Sequence, residues 1–236
     1  MNDEEIRAEA IVFAKRNKMS IARALTDPAK FHPEERPISV FMAGSPGAGK
    51  TEFSKSLISI IEEARYCNVV RIDTDEIRAV LPGYIGGNAY LFQGAASLIV
   101  EKVHDLALRQ SQTFILDGTF AKYEKAVQNI GRSLNAGREV FVFYIYQKPE
   151  IAWQFTKARE ATEGRNIPKG VFIEQFLGAQ DTIGRVRTTF GKKIVIFLVR
   201  KNFEKNTVED IVETDQESFD GYLNERYTEE KLEELL

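Results

Sequence analysis

Short apolar segments alternate with longer segments of helical periodicity over most of the chain. Five of the apolar segments are rich in Val, Ile and Phe and mostly continuous, which is typical of strands buried on both faces of a parallel sheet. They cover residues 38–43, 68–73, 113–117, 139–146 and 193–199. Helical segments lie between them at 50–64, 75–81, 88–111, 122–135, 148–163 and 168–190. This order predicts an α/β domain with about five mostly parallel strands flanked by helices.

Both ends of the chain differ in pattern from this central region. Residues 3–25 carry apolar side chains at helical spacing, and prolines punctuate the segment that follows. The end of the chain, especially 228–236, is charged and helix-prone. We therefore predict an N-terminal helical extension and linker over 1–37, a domain over 38–200, and an acidic C-terminal helical tail over 201–236.

Composition and charge narrow the class of protein. The 236 residues are 43% hydrophobic and 28% charged, as in ordinary globular domains. There is no apolar run that could span a membrane, no signal-like N-terminus, and only one cysteine, which together predict a cytoplasmic protein without membrane association. From residue 209 to the end there are eleven acidic residues against two basic ones, so the preceding residues carry a net charge of +6. A mildly basic body favours small anionic ligands over extended nucleic acid.

The most specific motif follows the first predicted strand. The sequence GSPGAGKT fits G-x-x-x-x-G-K-[ST] and lies between a strand and an amphipathic helix, which is the setting that a phosphate-binding P-loop needs. Glycines let backbone N–H groups surround phosphate oxygens, while the lysine reaches the β and γ phosphates and the threonine hydroxyl ligates Mg²⁺. The chain is therefore predicted to bind ATP or GTP with Mg²⁺. The binding residues are Gly44, Ser45, Pro46, Gly47, Ala48, Gly49, Lys50 and Thr51.

A segment rich in carboxylates follows the second predicted strand. We expect it beside the P-loop strand, at the sheet edge where ligands of open parallel sheets bind. There Asp75 can accept the proton of an attacking hydroxyl, and Arg78 would share its helical face. Acidic residues are also common in the first turn of helices, because they complement the helix dipole. The only Asn-Lys pair precedes the P-loop, so no N-K-x-D guanine-reading motif is present, and a small-molecule kinase is favoured by analogy of fold.

The P-loop and the segment Ile72-Asp73-Thr74-Asp75-x-x-Arg78 together resemble the zeta-toxin family of toxin–antitoxin kinases. Members of this family phosphorylate UDP-N-acetylglucosamine, and some relatives act on other nucleotide-like substrates. The resemblance covers about residues 38–200. It implies a P-loop kinase fold, a nucleotide sugar as phosphoryl acceptor, and an antitoxin protein as a candidate partner.

The resemblance also implies which residues act in catalysis. Asp75 corresponds to the family's catalytic base in preference to Asp73, with Arg78 as a substrate-binding residue and Lys50 on the triphosphate. Arg159 and Arg165 match, in order and approximate spacing, two arginines that would close over the γ-phosphate and neutralise its charge. Arg159 would otherwise be a surface or ion-paired arginine.

Three further residues are implied in substrate and metal binding. Asp117-Gly118-Thr119 resembles the family's Glu-Gly-Thr, so Asp117 would leave a carboxylate near the metal, reaching it through water. Thr119 would contact the acceptor or cap the next segment. Glu101 falls where the family places a substrate-binding glutamate, although its position outside the apolar helical stripe also suits a solvated surface acid.

Two alternatives to a nucleotide-sugar kinase remain open from the residues alone. Asp75-x-x-Arg78 after a P-loop also occurs in polynucleotide 5′-hydroxyl kinases, which would need a basic groove with interleaved aromatic side chains and would bind oligonucleotides in a salt-sensitive way. A non-catalytic nucleotide-binding module, with the N-terminal helix docking a regulatory partner, is the alternative of another class.

Overall fold

A six-stranded sheet lies at the centre of the computed structural model, which describes residues 2–164, 166–202, 207–214 and 227–236. The strands are β1 (Ile38–Ala43), β2 (Val70–Asp73), β3 (Phe114–Asp117), β4 (Glu139–Tyr146), β5 (Val195–Asn202) and β6 (Thr207–Glu213). The helices in the described part of the chain are α1 (Asp3–Leu25), α2 (Lys50–Arg65), α3 (Thr74–Ala79), α4 (Ala89–Arg109), α5 (Tyr123–Asn135), α6 (Pro149–Glu163), α7 (Lys169–Phe190) and α8 (Glu229–Leu235). The predicted α/β class, with a mostly parallel sheet flanked by helices, is confirmed.

The strand order is β2-β3-β1-β4-β5-β6, with β1 to β5 mutually parallel. All six residues of β1 are buried, as its continuous apolar sequence predicts. Strand β3 separates β2 from β1, so the prediction that the second strand lies directly beside the P-loop strand is wrong. A short run of apolar residues carries no information on which neighbour it pairs with. The parallel strands nevertheless end at one edge, which brings Ala43, Asp73 and Asp117 to the same side of the sheet.

Strand β6 is a second difference from the sequence prediction. It runs antiparallel to β5 within 201–236, where the acidic composition predicts a helical tail, and only Glu229–Leu235 is helical among the described residues of that segment. An edge strand with one solvated face has no continuous apolar run, and Val208 and Ile211 of β6 are exposed. Charged side chains on such an edge also discourage pairing with other chains.

Helix α1 packs lengthwise along α4. Small buried side chains on α1, Ala10, Ala14 and Ala22, let the two helices approach closely. The approach is so close that a Cβ atom on Gly94 of α4 would lie 3.1 Å from Ile11 Cδ1. The N-terminal helix thus contributes directly to the larger apolar core on its face of the sheet.

His104 on α4 is buried in this core against two aromatic rings. Its ring centroid lies 4.9 Å from that of Phe114 and 6.1 Å from that of Phe41. Burial, together with the nearby charges of Arg132 and Arg138, lowers the pKa of His104 to about 3. The folded protein therefore holds this imidazole neutral at pH values where an unfolded chain, with an ordinary pKa of about 6.5, takes up a proton.

This difference predicts a loss of stability in acid. Because the folded-state pKa lies below the unfolded one, the free energy of unfolding falls as the pH decreases from about 6.5 toward 3. We expect His104→Phe to reduce that slope by up to about 1.4 kcal/mol per pH unit in urea titrations. The other histidine, His32, is exposed, so His32→Phe is the matched control and should leave the slope as in the unmodified protein. Equal slopes for both variants would contradict the prediction.

Candidate active site

The P-loop connects the buried strand β1 to the first turn of α2. Lys50 folds back over the loop, and its Nζ donates to the carbonyl oxygens of Gly44 at 2.9 Å and Ser45 at 2.7 Å. The N–H of Gly44 donates to the Thr119 carbonyl at 3.1 Å, which ties the loop to the end of β3. Gly49 is the N-cap of α2 and has a left-handed backbone, with φ of 83°. The first N–H groups of α2 therefore adjoin a curled loop, an arrangement that suits phosphate oxygens.

Helix α6 lies directly against this loop. A Cβ atom on Gly47 would lie 2.0 Å from the Ala152 carbonyl oxygen and 2.8 Å from Thr156 Oγ1. The backbone of Gly47 also has a φ of +72°, which side chains of L-residues rarely tolerate. A Cβ on Gly44 would lie 2.5 Å from the Ile145 carbonyl oxygen. These glycines are thus required by close backbone contacts as well as by loop curvature.

Two buried carboxylates, Asp73 and Asp117, end the neighbouring strands β2 and β3 in register. Arg71 forms ion pairs with both, and its Nη2 lies 3.0 Å from Asp117 Oδ2. Ser54 Oγ donates to the same Asp117 oxygen at 2.9 Å. Burial and the nearby charge of Asp117 raise the pKa of Asp73, while Arg71 acts in the lowering direction.

The carboxylate of Asp117 is linked to the first turn of α2, where the predicted metal ligand Thr51 lies. Its partner Ser54 follows Thr51 by three residues and also bonds to the Thr51 carbonyl at 3.0 Å. No group of three or more His, Cys, Asp or Glu that could hold a metal ion occurs in the described part of the chain. One hydroxyl and one carboxylate, from Thr51 and Asp117, are a donor set that suits Mg²⁺, because Mg²⁺ binds proteins through one or two side chains together with water and substrate phosphates.

Asp73 and Asp75 have different environments. Asp73 is the N-cap of α3: its Oδ1 accepts from the Asp75 N–H at 2.7 Å, and its Oδ2 pairs with Arg71. The Asp75 side chain is 34% exposed and forms an ion pair with the buried guanidinium of Arg78. Of these two carboxylates, that of Asp75 is the more accessible.

Gln93 near the start of α4 joins this group, since its Oε1 accepts a hydrogen bond from Arg78. Sequence reasoning missed Gln93, because a single exposed glutamine on a predicted helix carries no chemical signal. Its position toward Arg78 results from the packing of α3 on α4.

The other predicted substrate-binding residues differ in position. Thr119 lies at the P-loop, through its carbonyl contact with Gly44. Glu101 lies on the side of α4 that meets α5, where it forms ion pairs with Lys125 and Arg132. Among the described residues, no hydrogen bond or ion pair joins Glu101 to the P-loop or to Asp75. The observed ion pairs of Glu101 therefore link α4 to α5.

Of the two predicted arginines, Arg159 lies on α6 and is partly buried. It follows Thr156 by three residues, so both lie on neighbouring parts of one helix face. Arg165 lies outside the described residues. Immediately before it, the Gly164 carbonyl would be 3.6 Å from a Cβ on Gly87. The loop that leads into α4 and the end of α6 therefore meet.

Three features define a P-loop kinase-like protein: the P-loop, the neighbouring strands β2 and β3 that each end in an aspartate, and helix α6, which lies against the loop. A family model described as Zeta toxin matches residues 21–213, and the chain therefore belongs to the zeta toxin family of P-loop kinases. The match begins within α1 and ends with β6, so it extends beyond the predicted resemblance at both ends. No curated protein sequence matches the chain.

Solved structures show the same fold at low sequence identity. A structure from the PezAT chromosomal toxin–antitoxin system of Streptococcus pneumoniae has a TM-score of 0.65 and 18% identity, covering 94% of this chain and 90% of that one. The AvrRxo1-ORF1:AvrRxo1-ORF2 structure with sulphate ions has a TM-score of 0.61 and 13% identity, covering 98% and 78% of the two chains. The corresponding structure with ATP has a TM-score of 0.57 and 13% identity, covering 89% and 65%. None of the described helices has the length and apolar character needed to cross a membrane.

Proposed function

We propose that the protein transfers the γ-phosphoryl group of ATP to a hydroxyl of a nucleotide sugar, with UDP-N-acetylglucosamine as the leading acceptor. The observation that carries this proposal is the ion pair of Asp75 and Arg78 beyond β2, at the sheet edge where the P-loop begins. A partly exposed carboxylate at this edge suits a base that must reach a substrate hydroxyl. Membership of the zeta toxin family supports the same acceptor class.

On the donor side, the P-loop binds the triphosphate. Lys50 exchanges its contacts with the loop carbonyls for the β and γ phosphates, and the N–H groups at the start of α2 donate to phosphate oxygens. Thr51 holds Mg²⁺, with Asp117 nearby through water. When bound, Mg²⁺ neutralises charge on the β and γ phosphates. An AvrRxo1 structure of the same fold was determined with ATP, which supports ATP as donor, and competition with GTP tests that choice.

On the acceptor side, Asp75 takes the proton of the attacking hydroxyl while Arg78 orients the carboxylate. Arg78 in turn is held by Gln93, and Thr119 borders the same edge. Arg159 on α6, together with Arg165, stabilises the negative charge on the transferring phosphoryl group. For Glu101 to contact the acceptor, its ion pairs with Lys125 and Arg132 of α5 must first break.

The biological setting proposed here follows the family. Two of the structures that share the fold come from systems with a bound or paired protein, namely PezAT, a toxin–antitoxin system, and the AvrRxo1 complex. We therefore expect an antitoxin to bind this protein, and we expect both to act in the cytoplasm. Co-expression with the protein encoded next to its gene, followed by purification of a stable complex, tests this expectation.

The acceptor class is tested by incubating the protein with γ-labelled ATP, Mg²⁺ and a panel of UDP-sugars, nucleosides and 5′-hydroxyl oligonucleotides. We expect labelled product with UDP-N-acetylglucosamine or a related nucleotide sugar, identified by mass spectrometry, and none with nucleosides. Preferential labelling of oligonucleotides, with binding that weakens steeply as salt increases, would instead establish a polynucleotide kinase. ATP binding with transfer to no acceptor would favour a non-catalytic binding module.

A further inference from the structure

Helix α8, which lies beyond the segment matched by the family model, packs onto α7 and shares an apolar cluster with α7 and α6. Its residue Leu232 is fully buried. The apolar cluster around it contains Ala152 from α6 together with three residues of α7, Phe172, Ile173 and Phe176. The C-terminal helix therefore belongs to the same apolar cluster as the first turn of α6 and the first half of α7.

Polar and aromatic contacts attach α8 along its length. Lys169, at the first position of α7, donates from Nζ to the Glu233 carbonyl at 2.6 Å and lies 3.4 Å from the Glu233 carboxylate. Just before α8, the Tyr227 ring meets the Phe176 ring edge-on, with centroids 5.8 Å apart. Thr228 caps the helix by accepting from the Lys231 N–H at 3.2 Å. A capped helix of this length, held at both ends, has a defined position on α7.

The cluster around Leu232 is directly connected to the P-loop. Ala152 is a member of the cluster, and the Ala152 carbonyl oxygen is the atom that a Cβ on Gly47 would meet at 2.0 Å. One side of the first turn of α6 thus belongs to the cluster that contains Leu232, while the backbone of the same turn lies against Gly47 of the P-loop. Arg159 lies two turns further along the same helix.

We propose that Leu232 is a positioning residue for the nucleotide site. By filling the cluster between α6 and α7, it keeps α6 on the P-loop and so maintains the affinity for ATP. The inference concerns nucleotide binding and does not require that phosphate be transferred to any acceptor. It assigns a role in the nucleotide site to helix α8, which lies beyond the residues that the family model matches.

The test compares Leu232→Ala with Leu235→Ala. Both remove the same side chain from the same helix, but Leu235 is 41% exposed whereas Leu232 is buried. We expect Leu232→Ala to weaken ATP binding in the presence of Mg²⁺ by about tenfold in calorimetry, a size typical of coupling between sites, and Leu235→Ala to leave it unchanged. Amide hydrogen exchange over 149–163 should accelerate in Leu232→Ala only, while exchange in β1 and β3 stays as in the unmodified protein.

The single tryptophan provides an independent readout of helix α8. Trp153 on α6 packs against the Leu232 cluster, with its ring centroid 5.1 Å from that of Phe172. Release of α8 should expose this indole and shift its emission to longer wavelength in Leu232→Ala. If the emission shifts while ATP affinity and α6 exchange remain equal to those of Leu235→Ala, then α8 only adds stability and the proposal is overturned.

Two further variants keep the test valid if Leu232→Ala does not fold. Leu232→Met preserves the volume of the side chain and should restore ATP affinity to within about twofold of the unmodified protein. Lys169→Met removes the ion pair with Glu233 without opening a cavity and should weaken ATP binding in the same direction, by a smaller factor. Unchanged ATP affinity in Lys169→Met, together with unchanged α6 exchange, would also overturn the proposal. If the unmodified protein transfers no phosphate to any acceptor but Leu232→Ala and Lys169→Met still lose ATP affinity, the proposed kinase function is refuted and this inference is left intact.

Discussion

Replacement of Asp75 by Asn should reduce phosphoryl transfer by about 10²- to 10⁴-fold while leaving ATP affinity unchanged. Asn keeps the size of the side chain and can still accept a hydrogen bond from Arg78, so the local structure is retained. It cannot take the proton of an attacking hydroxyl, and that loss falls on the transfer rate rather than on nucleotide binding. Single-turnover rates with labelled ATP and the identified acceptor, together with calorimetric ATP binding, measure the two effects separately.

The neighbouring carboxylate Glu76 provides the matched control. It lies on the same short helix as Asp75, is 62% exposed and pairs with Arg71. We expect Glu76→Gln to change the transfer rate by less than about threefold, because the Glu76 side chain is exposed and Arg71 keeps its ion pairs with Asp73 and Asp117. If Asp75→Asn and Glu76→Gln lowered the rate equally, or if Asp75→Asn lowered ATP affinity to the same degree as the rate, Asp75 would not be the base.

Replacement of Gly47 by Ala should weaken ATP binding by at least about 100-fold, or about 3 kcal/mol. The new methyl group would lie 2.0 Å from the Ala152 carbonyl oxygen, which belongs to helix backbone and cannot swing aside. Either α6 must move away or the loop must change its conformation. Both changes displace the backbone N–H groups that would bind the phosphates. The left-handed φ adds about 1–2 kcal/mol of strain for a residue with a Cβ.

Gly137 separates the steric effect from the backbone strain. Its φ of +69° nearly equals that of Gly47, but no atom lies within 4 Å of the position of an added Cβ. Gly137→Ala should therefore lower the thermal midpoint of unfolding through strain alone and preserve ATP affinity. ATP binding by Gly47→Ala at the strength of Gly137→Ala would show that the contact with α6 does not constrain the loop.

Local signals account for the parts of the site that the sequence predicted. The P-loop is a continuous eight-residue motif whose glycines, lysine and threonine each meet a separate physical demand of phosphate binding, so Gly44–Thr51 is readable without the fold. The ion pair of Asp75 and Arg78 follows from helical spacing, because residues three apart lie on one face. Helical and strand periodicity are likewise properties of short stretches of sequence, and for this reason the helices and the five parallel strands were predicted with nearly their observed bounds.

Features that depend on long-range packing could not be predicted in this way. Whether β2 pairs with β1 or with β3 depends on how the connecting helices pack, and the intervening β3 determines which carboxylates become neighbours. The contact of Glu101 with α5 and that of Gln93 with Arg78 likewise depend on the placement of α4. The sequence did not predict strand β6, because this strand is held by backbone hydrogen bonds to β5 and has no apolar run of its own.

The sequence by itself determined the α/β class, the phosphate loop and the pairing of a candidate base with an arginine. The phosphate loop and the Asp75–Arg78 pair are encoded over spans shorter than about ten residues, and the α/β class follows from the order of segments that are each recognised by their local periodicity. Only the tertiary structure placed α6 on the P-loop and brought α8 into one apolar cluster with α6 and α7. Those contacts join residues such as Gly47, Ala152 and Leu232, which lie far apart in the chain and are individually unremarkable in composition. Burial and close approach are properties of the folded arrangement, so they become visible only once the elements have packed.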